Sequence, residues 1–174
     1  PYPVKRHLGN SAAIHRHPQW QYDMVRLGIG LYGVDSDPEI QKQLQPVATL
    51  KTTIAQIKHL MPGESVGYGR AARIEKPTTI ATVRIGYADG YPRRLSHGKA
   101  WMLVHGQQAP TIGWICMDML MLDVSGIPDV REGDEVIVFG EALPIQQLAR
   151  WADTIPYEMM TTISQRVKRV YYQE

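Results

Sequence analysis

The sequence predicts a mainly β domain of the barrel or sandwich type, with one or two short helices, preceded by a segment of different texture. Three observations lead there. Short β-prone runs recur from Val47 onward, each bounded by a turn rich in Gly, Pro or Asp. Residues 143–152 break that rhythm, because Ile145, Leu148, Ala149 and Ala152 fall on one helical face. Residues 24–34 are apolar with Gly28, Gly30 and Gly33 interspersed, which reads as a buried strand followed by a loop. The polar connection 35–46, with Pro38 and Pro46 near its ends, sets the boundary, so that 1–43 and 44–174 are expected to be separate domains.

Taken in order, Asn10 and Ser11 are placed to cap a short helix through Ala12, Ala13 and Ile14. Residues 47–60 form a Thr- and Ile-rich strand that stops at Met61-Pro62-Gly63-Glu64, with Pro and Gly where a type II turn needs them. Residues 66–94 are expected to make a hairpin with Tyr68 and Tyr87 at its ends, its second strand spanning 78–85. A further hairpin joins 101–104 to the segment near Pro110 through His105-Gly106-Gln107-Gln108. Strands at 115–124 and 135–139 follow, separated by turns at Gly126 and at Glu132-Gly133-Asp134. The helix at 143–152, a second short helix after Pro156 and a closing strand over 166–172 complete the chain.

Length and composition narrow the function classes. At 174 residues and 44% hydrophobic, the chain has enough apolar surface for one good core or one domain with an attachment. A formal charge of +2 with no long Lys/Arg run gives no nucleic-acid surface. The single Cys116 rules out an internal disulfide and suits a reducing compartment, the cytoplasm being the default. No apolar run approaches the roughly 18 residues of a membrane span. Residues 1–10 lack the apolar core of a signal peptide and read as mid-domain sequence, as expected of a piece of a longer chain.

Several residues invite chemistry. Tyr68 lies in Gly67-Tyr68-Gly69, where flanking glycines permit close approach of the backbone to a ligand and a phenol of lowered pKa could act as acid or base. The same tripeptide also suits a structural tyrosine at a bend. Arg26, a donor-only side chain inside an apolar run, needs acceptors; a cofactor or a salt bridge at a strand end would serve. Ser11 reads either as an anion-binding hydroxyl or as a helix cap. Cys116-Met117-Asp118 and the six scattered histidines show no metal-ligand spacing, so no metal is expected.

The motifs combine. Asn10-Ser11-Ala12-Ala13, MVRLGIGLYG at 24–33, VGYG at 66–69, IGYADGYPR at 85–93, GWICMDM at 113–119 and PYEMMTTISQRV at 156–167 together resemble the C-terminal half of alanine racemase, a pyridoxal-phosphate enzyme. The resemblance implies that 1–43 is the end of a cofactor-binding TIM (β/α)8 barrel and 44–174 the C-terminal β domain. It implies that Ser11, Gly28 and Ile29, with Asn10 beside them and Tyr157, contact the cofactor phosphate, and that Arg26 hydrogen-bonds the pyridine nitrogen. It further implies Tyr68 as the base on the L-alanine side, the backbone N–H of Met117 on the substrate carboxylate, Tyr87 at the substrate entrance, and a homodimer with shared sites. The lysine that carries the cofactor belongs to a VKANAYGHG-like motif missing from these residues, so the chain alone is expected to be inactive. Trp114 stands where many members carry a basic residue. Two rivals remain: a racemase of broader amino-acid range, and a stand-alone β-barrel binding module exposing Tyr87, Tyr91, Arg93 and Arg94.

Overall fold

The computed structural model describes residues 2–172 and separates into two compact units, Pro1–Ala48 and Thr49–Glu174. In the larger unit, six antiparallel strands close into a barrel in the order β1-β4-β7-β6-β5-β8: β1 (Leu50–Leu60), β4 (Thr78–Val83), β5 (Trp101–Val104), β6 (Gln107–Ile112), β7 (Leu120–Asp123) and β8 (Glu135–Phe139). A separate two-stranded ribbon joins β2 (Ser65–Val66) to β3 (Ala72–Arg73).

Closure depends on β1, whose first residues pair with β8 and whose last residues pair with β4. Register shifts at Leu50/Lys51 and at Ile54/Gln56 bend the strand between its two partners. Ile54 sits at that bend and exchanges backbone hydrogen bonds with the 133–134 turn, its N–H donating to Asp134 O and its carbonyl accepting from Gly133. Inward-facing residues form the core: Ile54, Val83, Met102, Val104, Leu120, Leu122, Val136 and Val138 are all buried. A closed barrel leaves no unpaired edge, so each strand can be short without inviting association.

The turns obey local chemistry. Glu64 N–H donates to Met61 O, and Gly63 takes φ 95°, as the Pro-Gly pair requires. Val104 pairs with Gln107, leaving His105 and Gly106 as a two-residue turn with both φ positive, which fits strand twist. Helices α3 (Ile145–Trp151) and α4 (Pro156–Thr162) follow the barrel. The predicted face of α3 is buried at Ile145, Leu148 and Ala149, Ala152 follows it inward, and Met159 is the buried residue of α4.

Four expectations for strands need correction. Tyr68 and Tyr87 do not end one hairpin: Tyr68 opens a 3-10 turn between β2 and β3, while β4 pairs with β1 and β7. The strand expected over 115–124 begins only at Leu120, since the carbonyls of Cys116 and Met117 accept from another loop. Residues 166–172 form no strand, because Arg169 turns back onto the carbonyls of Ile163, Ser164 and Val167.

The fourth correction lies in the smaller unit, where residues 24–34 are not a buried strand. Met24, Leu27 and Leu31 are exposed, and among the described residues the only ladder contact of this run is an isolated parallel bridge between Asn10 and Arg26. Gly28 then starts a 3-10 turn, Ile29–Tyr32, that ends at Gly33 with φ 72°. A Cβ on Gly33 would lie 1.9 Å from Gln45 O, so that position admits only glycine. Helix α1 (Ser11–Arg16) begins at Asn10, whose side chain accepts from Ala13 N–H, and the short α2 (Pro38–Gln41) is capped likewise by Asp37.

Candidate functional site

The larger unit places three loops together. In the first, Gly67 (φ 77°) and Gly69 (φ 66°) flank Tyr68, which is 77% exposed. A Cβ on Gly67 would meet Met121 Cε at 3.3 Å and Trp114 N at 3.5 Å, so this loop runs close against β7 and the segment before it. The second loop, 84–90, docks on the third, 114–119: Tyr87 N–H donates to Cys116 O and Ala88 N–H to Met117 O, both at 3.0 Å. Gly86 makes this possible, because a Cβ there would stand 2.3 Å from both accepting carbonyl oxygens.

Tyr68, Cys116, Met117 and Asp118 line one cleft of about 700 Å³, with Lys58 and Glu64 also on its wall. Met117 is exposed, and so is Tyr87 on the docked second loop. Among the described residues the Met117 N–H has no hydrogen-bond partner, and Met117 lines this cleft. Trp114 is held by the Arg93 guanidinium 3.9 Å over its ring and by the edge of His97 at 4.3 Å. Among the described residues no cluster of His, Cys, Asp or Glu could hold a metal.

Asp89 in the second loop and Asp118 in the third share Arg166. The sequence offered Asp118 only within a tripeptide set aside as a metal site, and it marked neither Asp89 nor Arg166 as a site residue. Asp89 did carry a signal, standing three residues after Gly86 and accepting from its N–H as a turn-closing carboxylate. Arg166 carried none, since its two partners lie 77 and 48 residues away.

A second cluster belongs to the smaller unit. Buried Ser11 accepts through Oγ from Gly28 N–H at 2.8 Å and from Gly30 N–H at 3.4 Å. Arg26 donates its backbone N–H to Gly9 O, and its Nη1 lies 2.9 Å from His7 Nδ1. The expectation of a buried Arg26 is not met: the side chain is exposed, because the run that carries it is not enclosed within this unit. Ser11, Gly28, Ile29, Arg26 and Asn10 are nonetheless brought together here. Tyr157 lies on α4 of the larger unit, half exposed.

The family model described as alanine racemase, C-terminal domain, matches residues 47–171, and that for the N-terminal domain matches 1–36. The chain belongs to the alanine racemase family. Alanine racemase 1 of Clostridium acetobutylicum is 46% identical over 173 residues, covering 95% of this chain and 45% of its own length. The alanine racemase of Bartonella henselae, solved with covalently bound pyridoxal phosphate, superposes with a TM-score of 0.89 at 33% identity, over 98% of this chain and 48% of that one. The biosynthetic alanine racemase of Pseudomonas aeruginosa gives a TM-score of 0.87 at 38% identity, over 97% and 48%. The chain thus spans a little under half the length of the relatives it matches.

The binding-module alternative loses one of its four residues, while Tyr87, Arg93 and Arg94 stay exposed. Tyr91 is 1% exposed, and that burial pushes its phenol well above the ordinary tyrosine range. Arg94 donates to Ala152 O, and Arg93 is engaged by Trp114.

Proposed function

We propose that these residues form the C-terminal part of an alanine racemase that interconverts L- and D-alanine with pyridoxal phosphate. The observation that carries this reading is the exposed Tyr68, fixed between two positive-φ glycines in the same cleft as Met117, whose N–H has no partner among the described residues, in a chain of this family. Pyridoxal phosphate, when bound, supplies delocalisation of the negative charge left on the substrate Cα.

The chain's own groups suit that cofactor. Ser11 has used its lone pairs on two loop amides, so its hydroxyl proton is available to an anion. With Asn10, Gly28, Ile29 and the Tyr157 phenol, it would hold the phosphate. Arg26 would face the ring nitrogen, and a guanidinium that keeps its proton leaves that nitrogen an acceptor. Tyr68 removes and returns the Cα proton on the L-alanine side, work for which a positioned side chain contributes about 10²- to 10⁴-fold. Met117 N–H orients the substrate carboxylate, and Tyr87 lines the entrance.

The opposite face of Cα needs a second base, which the resemblance places on a lysine outside these residues. Tyr68, Tyr87 and Met117 are exposed on the barrel unit, and they act on the cofactor residues of a second copy in a homodimer. The enzyme then supplies D-alanine for peptidoglycan from the cytoplasm. The domains divide as remnant barrel over 1–43 and β domain over 44–174.

A coupled D-amino-acid oxidase assay tests this. The full-length protein loaded with pyridoxal phosphate should produce D-alanine from L-alanine, and the 174-residue chain alone should not. Absence of D-alanine from the loaded full-length protein would refute the reading.

A further inference from the structure

We propose that Arg166 is a positioning residue for this site, one cation that fixes the Met117 donor loop against the Tyr87 entrance loop. The proposal rests on the racemase reading above. Arg166 Nε donates to Asp89 Oδ1 and Nη2 donates to Asp118 Oδ1, both at 2.7 Å. Each carboxylate belongs to a different loop. Asp89 closes the 86–90 turn by accepting Gly86 N–H through its other oxygen, at 2.9 Å. Asp118 directly follows Met117 and is 56% exposed at its side chain, so Arg166 is what restrains it.

The segment bearing Arg166 is itself braced. Ser164 N–H donates to Asp89 O, and Arg169 donates to the carbonyls of Ile163, Ser164 and Val167. Two carboxylates hold the guanidinium in its charged form, raising its pKa further. A planar guanidinium sends Nε and Nη2 to two acceptors at once, whereas a lysine ammonium acts as one point charge on a flexible stem. Exposed ion pairs contribute little to stability on average, so the consequence of this one lies in where it holds Met117.

The test uses full-length protein and three variants: Arg166→Met, Arg166→Lys and Asp118→Asn, the last sparing the Gly86–Asp89 turn. Hydrogen exchange at the Ala88 and Cys116 amides and steady-state kinetics with alanine are read together. Arg166→Met should accelerate exchange at both amides and raise KM about 10-fold with kcat within about threefold, the pattern of lost ground-state positioning. Asp118→Asn should give a smaller KM rise, and Arg166→Lys should restore only part of the loss. Unchanged exchange in Arg166→Met, or equal loss of kcat and kcat/KM with unchanged KM, overturns the proposal. Should Arg166→Met fail to fold, Asp118→Asn decides by the same two readouts. Should the full-length protein not racemise alanine, the racemase reading fails separately, and joint loosening of both loops still decides for or against the brace.

Discussion

The two units contain similar apolar texture but use it differently. In the barrel unit, Leu120 and Leu122 are fully buried, and every strand finds partners within the unit. In the smaller unit, Met24, Leu27, Leu31 and Tyr32 are exposed, and order comes from polar ties: Asn10 to Ala13, Ser11 to Gly28 and Gly30, and Asp23 to Arg6. An apolar run becomes a core strand only when neighbours on both sides are available to pair with it. The barrel has them and residues 24–34 do not, which leaves that surface suited to self-association in the isolated chain.

The sharpest way to test the contrast is truncation in each unit of the 174-residue chain. Leu122→Ala should destabilise the barrel by about 2–5 kcal/mol in denaturant unfolding, whereas Leu31→Ala should change stability by less than about 0.5 kcal/mol. Comparable losses from the two would erase the distinction.

Gly86→Ala should come next, at about 1–3 kcal/mol, because its new methyl must displace two carbonyl oxygens 2.3 Å away. The loops bearing Tyr87 and Met117 would separate, and exchange at Ala88 N–H is the measurement. Retained protection there would show that the loops dock by other means.

Legibility in the sequence followed the same division. The hairpin at His105-Gly106, the turn at Pro62-Gly63 and the buried face of α3 were readable because each is decided by neighbours in sequence. Barrel closure was not, since it depends on β1 bending between β8 and β4. In the candidate site, Tyr68 and Gly67 announced themselves through local backbone needs. Cys116 and Met117 read as strand because nothing local shows that their carbonyls serve residues 87 and 88. The ion pairs of Arg166 with Asp89 and Asp118 went unread because they join loops distant in the chain.

In the smaller unit, Ser11→Ala should cost about 1–3 kcal/mol by leaving the amides of Gly28 and Gly30 without their acceptor. Faster exchange at Gly28 N–H with an unchanged barrel would locate the loss; no change would mean that water replaces the hydroxyl.

The smallest effect is the unit's acid sensitivity. The Arg6 backbone N–H and then its side chain hold the Asp23 carboxyl below its ordinary 3.8, and the Glu39 N–H does the same for Asp37. Depressed carboxyl pKa values stabilise the fold above the ordinary value, and that contribution fades as pH falls through the lower, folded one. Amides near Arg6 and α2 should therefore lose protection on acidification below about pH 4 while barrel amides keep theirs. Simultaneous loss in both units would contradict the division.

That Tyr68 handles the Cα proton on the L side only is tested most directly by deuterium exchange in the full-length Tyr68→Phe variant. Each enantiomer is incubated separately in D2O and followed by NMR of the α-proton. D-alanine should still exchange its α-proton with retention of configuration, while L-alanine exchange falls at least about 10²-fold. L-alanine exchanging at the wild-type rate would contradict it.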